Sequence, residues 1–567
     1  MSEGVDVSPS TSSGAEVLTS ARAWLAQDPD ETTRTELSHM IDDTLGGTDA
    51  AATSALRSRF ASRLEFGTAG LRGEIGAGPT RMNRVLVAQA AAGFASWLLS
   101  SGGEPSVVVG YDGRTNSRVF AEDTAEIMAG AGVRAVLLPR LLPTPVLAFA
   151  VRHLDVSAGV MVTASHNPAA DNGYKVYLGG ADAGSQIVAP VDAEIAAHIH
   201  RVASQLSVAD LPRSTEYESA AESVIDAYVT QTAALAPASA PASFVYTALH
   251  GVGFETASRV FFAAGFGRPV SVIEQQEPDA AFPTVAFPNP EEPGALDLAV
   301  ATATKAGVDL IIANDPDADR LAIAIPTAHG GWRRLSGNEV GYLLGWRAAE
   351  RLAATGRGGT LAASLVSSPA LRAVADAFGL DFAETLTGFK WISRAPNLAY
   401  GYEEALGYLV DPGKIRDKDG ISAAVDFLAL VGELRASGRS VEDHLDDFAG
   451  RFGAFASAQI SIRVTDLSEI ARMMARLRAE PPTRIGESAV ARIDDFELGV
   501  GDFAPNDILR MITEHGGRVI VRPSGTEPKL KAYIDASSTK GSASERRLAA
   551  QRAVDALEAG MRQLLVG

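Results

Sequence analysis

Along most of this chain short β-branched runs alternate with alanine-rich helical patterns: PSVVVGYD, FAEDTAEIMAGAG, VRAVLLP and TPVLAFAVRHL follow one another directly. Such alternation of short runs and helical stretches predicts α/β layers. At 567 residues the chain exceeds one core; at roughly 100 to 200 residues per domain it divides into about three to five. The alternation restarts after LAPASAPAS (residues 235 to 243), whose Ala, Pro and Ser suit neither a central strand nor a helix, and again from Asn338 to Leu434. Three α/β segments of similar size suit a duplicated unit, although no exact repeat is present. The C-terminal stretch, with SAQISIRV, LSEIARMMARLRA, GRVIVRPSG, LKAYIDAS and a helix from about Ala543, reads as a smaller α+β domain. At the other end, residues 1 to about 14 read as disordered, and EVLTSARAWLAQ and RTELSHMIDDTL as two amphipathic helices.

Charge and composition narrow the function. A net charge of −19 argues against nucleic acid and anionic membranes, both bound through clustered Lys and Arg. If the substrate is an anion, cationic groups must be gathered locally against that field. The absence of cysteine removes disulfides, thiolate zinc sites and cysteine nucleophiles. The polar N-terminus lacks the apolar core of a signal peptide, and residues 87 to 99, interrupted by Gln89, fall short of the roughly 20 that span a bilayer. The expectation is a cytoplasmic protein.

Three polar clusters sit between apolar runs. AGVMV leads into TASHNP and emerges in GYKVYL; VDLIIAN leads into DPDADR and emerges in LAIAI; RVIV leads into RPSGTEPK and emerges in LKAYID. Each lies at a strand end, where α/β proteins place ligand-binding groups. In DPDADR, Asp315, Asp317 and Asp319 alternate, so an extended loop converges their carboxylates, which suits a hard cation such as Mg2+; a solvated acidic turn is the alternative. An EF-hand is excluded because Arg320 and Pro326 stand where it needs Gly and Glu. A dehalogenase-like phosphatase motif fits less well, because Asp319 occupies its fifth position. RPSGTEPK gathers Arg522, Ser524, Gly525, Thr526 and Lys529, which together satisfy a phosphate dianion and also suit a hairpin turn. Gly413 and Lys414 are followed by Ile415, so there is no Walker A loop, and GVGFET lacks the last glycine of a dinucleotide fingerprint. Ser165 is flanked by Thr163 and Asn167, not by the glycines of a hydrolase elbow. Alone it reads as a capped turn; beside a metal loop and a phosphate loop it reads equally as a phosphoryl carrier, which splits a difficult transfer into two in-line steps.

The ordered motifs EFGTAGLRG, TASHNPAADNGYKVY, ALHGVG, DPDADR, TGFKWI, GYEEALGY and RPSGTEPK resemble the alpha-D-phosphohexomutase family, nearest its phosphoglucomutase-2-like branch, from about Arg63 to the C-terminus. The resemblance implies four domains, three related α/β units and a C-terminal α+β domain, around a central cleft. It places an N-terminal extension at 1–62, the phosphoserine domain at 63–220, the metal-loop domain at 221–335, the sugar-recognition domain at 336–452 and the phosphate-loop domain at 453–567. It makes Ser165 the phosphoserine and, with its phosphate, a ligand of Mg2+ beside Asp315, Asp317 and Asp319. Arg72 and Arg320 fall near the phosphoserine, and His166 and Asn167 shape its loop. Lys175 and Lys418 match lysines proposed for proton transfer, Glu403 and Glu404 the sugar-recognition loop, and Arg522 to Lys529 the loop holding the phosphate that stays in place.

The expected activity is therefore that of a phosphosugar mutase, isomerising glucose 1-phosphate and glucose 6-phosphate through glucose 1,6-bisphosphate. Phosphomannomutase and phosphopentomutase are the nearest alternatives; a metal-dependent sugar phosphatase and a non-catalytic sugar-phosphate sensor are the other classes. Ala405 stands where many phosphoglucomutases have serine, which opens pentose phosphates as substrates. Lys390 is a candidate sugar contact, Phe389 and Trp391 divide between sugar contact and packing, and His250 reads as structural. The expected partners are small sugar phosphates, with no nucleic acid or membrane, for a monomer or homodimer.

Overall fold

In a computed structural model, residues 14–46, 50–67, 70–236, 242–464, 466–524 and 529–566 are described. Three of the four sheets among the described residues share one plan. In the first, Ser106–Tyr111, Arg134–Leu137 and Ala158–Val162 run parallel, and Ala158–Val162 then pairs antiparallel with Asp171–Leu178. In the second, Val245–Thr247 is parallel to Ile311–Ala313, which pairs antiparallel with Ala322–Pro326. In the third, Thr360–Ser364 is parallel to Asp381–Thr385 and Leu398–Glu403, and Leu398–Glu403 turns antiparallel into Gly407–Leu409. The same step therefore recurs, a hairpin leaving the last parallel strand, and its three loops carry TASHNP, DPDADR and EAL. The three segments of similar size thus repeat one topology. The runs form strands because buried β-branched residues such as Val107, Val108 and Val109 pack on both faces of the sheet.

The fourth sheet is antiparallel, in the order Ala454–Arg463, Lys529–Ser538, Arg518–Pro523, Leu509–Thr513, Ser488–Asp495 and Arg484–Ile485. It builds its own core with the helices Leu467–Ala479 and Ala543–Val566. The largest core is shared by the other three sheets: Val108 and Met161, Tyr246 and Ile312, and Leu361 and Tyr400 belong to one buried cluster. The three hairpin loops are thereby held in fixed relation to one another.

Among the described residues, the N-terminal segment forms three helices, Gly14–Gln27, Glu31–Gly46 and Ala50–Phe60, where two were expected. The third buries only Leu56, so it has no apolar stripe to betray it. The expected disordered residues before Gly14, and residues 237–241 of the Ala-Pro-Ser linker, lie outside the described residues. No described helix is long and apolar enough to cross a membrane.

Candidate active site

Ser165 leaves its strand in the left-handed region, φ 53°, which a β-carbon disfavours and which the surroundings must enforce. Its N–H donates to Thr163 Oγ1 at 2.8 Å, and Thr163 Oγ1 donates to Asp112 Oδ2 at 2.7 Å. On the carbonyl side, Arg114 donates from Nη2 to Ser165 O and Asn167 O, each at 2.6 Å, and from Nη1 to Pro168 O at 2.7 Å and Asp171 O at 3.1 Å. So fixed, the buried Ser165 Oγ donates to Asp315 Oδ2 at 2.7 Å, with His166 Nδ1 3.2 Å away. Burial, reinforced by Arg320 and Arg72, holds His166 well below the usual imidazole range, so its ring is neutral.

Asp315, Asp317 and Asp319 are fully buried and offer oxygens all within 4.8 Å of one another. Lys175 Nζ donates to Asp317 Oδ2 at 2.7 Å and to Asp319 Oδ2 at 3.1 Å, while Lys418 Nζ lies 2.7 Å from Asp319 Oδ2. Thr144 Oγ1 also donates to Asp317 Oδ2, at 2.6 Å. Burial alone raises the Asp317 pKa, but the Lys175 ammonium outweighs it and holds the carboxyl well below its ordinary range. At Asp315 burial, then repulsion from Asp317 and Asp319, outweighs Arg320 and the Ser165 hydrogen bond and pushes the carboxyl well above its ordinary range. Burial would lower Lys418, but Asp319 and Asp417 outweigh it and raise the pKa, so this lysine is an ammonium here, the opposite of the lowered value a base requires. Asp317 Oδ1 and Asp319 Oδ1 are buried without a hydrogen-bond partner among the described residues. Orphaned buried oxygens on converging carboxylates fit a hard divalent cation, and the triad can hold one.

The third hairpin abuts this cluster. Arg320 Nη1 donates to Ala405 O at 2.8 Å, and Leu321 N donates to Leu406 O at 3.0 Å. Glu403 is buried; burial pushes its carboxyl up to about 7 against the opposing pull of Lys418 and Arg320. Glu404 Oε2 accepts from Ser367 Oγ at 2.9 Å and Ser364 Oγ at 3.1 Å. Lys390 is half-buried, and burial lowers it to about 8, with Arg394 and Arg522 lowering it further against Asp192. Arg522 is thus close enough to Lys390 to be felt electrostatically, and it also hydrogen-bonds Tyr533. Ser524 N donates to Lys529 O at 2.8 Å, closing the hairpin as its turn chemistry predicts. Gly525 and Thr526 lie outside the described residues. Phe389 is buried and Trp391 half-buried beside Lys390, so packing accounts for the phenylalanine. His250 Nε2 meets Thr284 Oγ1 at 2.8 Å, a structural contact.

Sequence reasoning overlooked Asp112, Arg114 and Thr144. Asp112 and Arg114 had a readable signal, an Asp-x-Arg directly after the strand Ser106–Tyr111. Thr144, in LLPTPVLAFA, had none, because its partner Asp317 is 173 residues away.

Residues 63–206, 225–330 and 336–452 match the Phosphoglucomutase/phosphomannomutase alpha/beta/alpha domains I, II and III, and residues 460–552 match the C-terminal domain. A probable phosphomannomutase of Haemophilus influenzae is 55% identical over 469 residues, covering 82% of this chain and 96% of the relative. A phosphopentomutase of Homo sapiens is 35% identical over 544 residues, 87% of this chain and 88% of the relative. A phosphoglucomutase of Staphylococcus epidermidis is 35% identical over 502 residues, 84% and 91% respectively.

Proposed function

The chain belongs to the alpha-D-phosphohexomutase family and is an intramolecular phosphotransferase, and from that premise we propose that it isomerises aldose phosphates through a phosphorylated Ser165, with glucose 1-phosphate and glucose 6-phosphate as the substrate pair. The observation that carries the reading is the approach of Ser165 Oγ to Asp315 at the edge of a buried carboxylate triad. Phosphoserine 165 transfers its phosphoryl group to the free hydroxyl of a sugar monophosphate: the P–Oγ bond breaks, a P–O bond to the sugar forms, and the proton the hydroxyl loses is matched by one gained at Ser165 Oγ, which is left as a serine hydroxyl. The resulting glucose 1,6-bisphosphate reverses in the site, and its other phosphate returns to Ser165.

Asp315, Asp317 and Asp319, joined by the serine phosphate, would hold Mg2+, which when bound supplies positive charge to the transferring group and offsets the carboxylate repulsion. Arg72 and Arg320 add guanidinium charge at the same place. Lys175 and Lys418, the lysines matched to proton transfer, are N–H donors to the triad; as an ammonium, Lys418 can give a proton to the oxygen that loses phosphorus and be reprotonated by the attacking hydroxyl. Glu403 and Glu404 present adjacent carboxylates to the hydroxyls of a pyranose, and Arg522, Ser524, Gly525, Thr526 and Lys529 grip the idle phosphate in either orientation. Lys390 adds a cation beside Arg522.

A second reading, a pentose phosphate as substrate, is favoured by Ala405, which leaves no hydroxyl at the sugar loop, and by the likeness to a phosphopentomutase. Turnover on glucose, mannose and ribose 1-phosphates in parallel decides between them: the proposal expects glucose to have the highest kcat/KM, and a clear preference for ribose selects the second reading. Ser165→Ala is expected to abolish isomerisation with the fold intact. Steady release of inorganic phosphate by the wild type would replace both readings with a phosphatase.

A further inference from the structure

Arg72 stands on Leu71–Glu74, a four-residue strand at the end of the first sheet, paired with Asp171–Leu178. It donates from Nη1 to Asn167 Oδ1 at 3.3 Å and feels the charge of Asp317, so its strand fixes a guanidinium over the serine loop. A strand this short at a sheet edge frays unless its ends are anchored.

The anchor comes from the N-terminal helices. Beyond the strand the chain makes a tight loop, in which Ala77 N donates to Glu36 Oε2 at 2.8 Å and Ala77 O accepts from Arg59 Nη1 at 3.0 Å. Arg59 Nη2 pairs with Glu36 Oε1 at 2.7 Å, so the two partners of one ion pair each use their other end to hold a polar group of the same buried residue, Ala77. Thr80 Oγ1 donates to Arg59 O at 3.1 Å, and a β-carbon at Gly76 would lie 2.4 Å from Arg59 Nη1, so loop and clamp are in direct contact. The loop returns to the strand through Met82 N, which donates to Glu74 O at 2.8 Å. The helices bearing the clamp are not a loose tail: Val17, Ala21, Trp24, Leu37, Ile41 and Leu56 share one buried cluster with Ala77 and with Val85 and Ala88 of the helix Arg84–Ser100.

We propose that the N-terminal helical extension is a positioning element of the active site, in which Glu36 and Arg59 hold the loop after Leu71–Glu74 and thereby keep Arg72 on the serine loop. The consequence for turnover rests on the mutase reading; the consequence for the loop does not. The test uses the full-length protein with Glu36→Ala, Arg59→Ala and Arg59→Lys, and with Ile41→Val as a control that loosens the same core without touching the clamp. Hydrogen–deuterium exchange in residues 71–83 is expected to rise about tenfold in both alanine variants and to recover in part in Arg59→Lys. At a temperature well below melting, kcat is expected to fall about tenfold with KM changed less than about twofold, whereas Ile41→Val lowers the melting temperature and leaves both unchanged. Unaltered exchange in 71–83 in both alanine variants overturns the proposal, as does a loss of activity that Ile41→Val reproduces. If the wild type itself shows no isomerisation, the mutase reading fails and the exchange measurement alone decides the role of the clamp.

Discussion

Four backbone carbonyls in and beside the serine loop converge on the guanidinium of Arg114, and no other side chain could supply the four N–H groups of its two terminal nitrogens from that position. Arg114→Lys replaces a fork with a point charge and leaves buried carbonyls short of donors, so unfolding by denaturant should show a loss of about 2 to 3 kcal/mol. With Ser165 free to leave φ 53°, kcat should fall about a hundredfold. A second prediction concerns Lys390, lowered by burial to about 8. Its folded pKa lies below the unfolded value, so the folded state carries a penalty while both forms are protonated, and stability rises as pH climbs from about 8 through the ordinary lysine range. If its ammonium contacts an anionic substrate, kcat/KM declines above about pH 8, and Lys390→Arg flattens that decline; the pH profiles of the two proteins test it. At this scale legibility followed sequence distance. Ser165 and the aspartates stood in compact motifs, whereas Thr144 matters only because folding carries it to Asp317. The charge state of Lys418 was illegible for the same reason: it is set by Asp319, from another unit.

The helix Gly420–Ala436 shows how one unit supports another's loop. Its Asp419 cap accepts from Ile421 N and Ser422 N, and its first residue packs against the metal loop so closely that a β-carbon at Gly420 would lie 2.2 Å from Arg320 O. Gly420→Ala must therefore displace the loop or the helix, at a cost of about 1 to 3 kcal/mol. The melting temperature should drop by several degrees, about 2 to 4 °C per kcal/mol for a large domain, and divalent-cation affinity should fall with it. Calorimetry with and without Mg2+ measures both effects. Elements were the most legible level of this molecule: the runs around TASHNP and DPDADR are strands because β-branched periodicity says so locally. The helix Ala50–Phe60 escaped notice because it buries only Leu56 and so carries no apolar stripe.

Across the whole molecule, a chain of net charge −19 gathers Lys175, Lys418, Arg72, Arg114 and Arg320 around one serine and three aspartates. A divalent cation bound to the folded state alone stabilises it by mass action, about 2.7 kcal/mol at a hundred times its dissociation constant, so chelation should lower the melting temperature and stop turnover together. Length foresaw three to five units and the resemblance four, but neither foresaw that three of them share one core, because burial between distant segments leaves no periodic trace. The central claim is that Ser165 gives and takes back phosphorus. Its most direct test is phosphosite mass spectrometry of the wild type during turnover of glucose 1-phosphate whose phosphoryl oxygens carry an isotopic label. Labelled phosphate is expected on Ser165, with a first-turnover product bearing the unlabelled phosphate the enzyme began with; product formed while Ser165 stays unlabelled would rule the mechanism out.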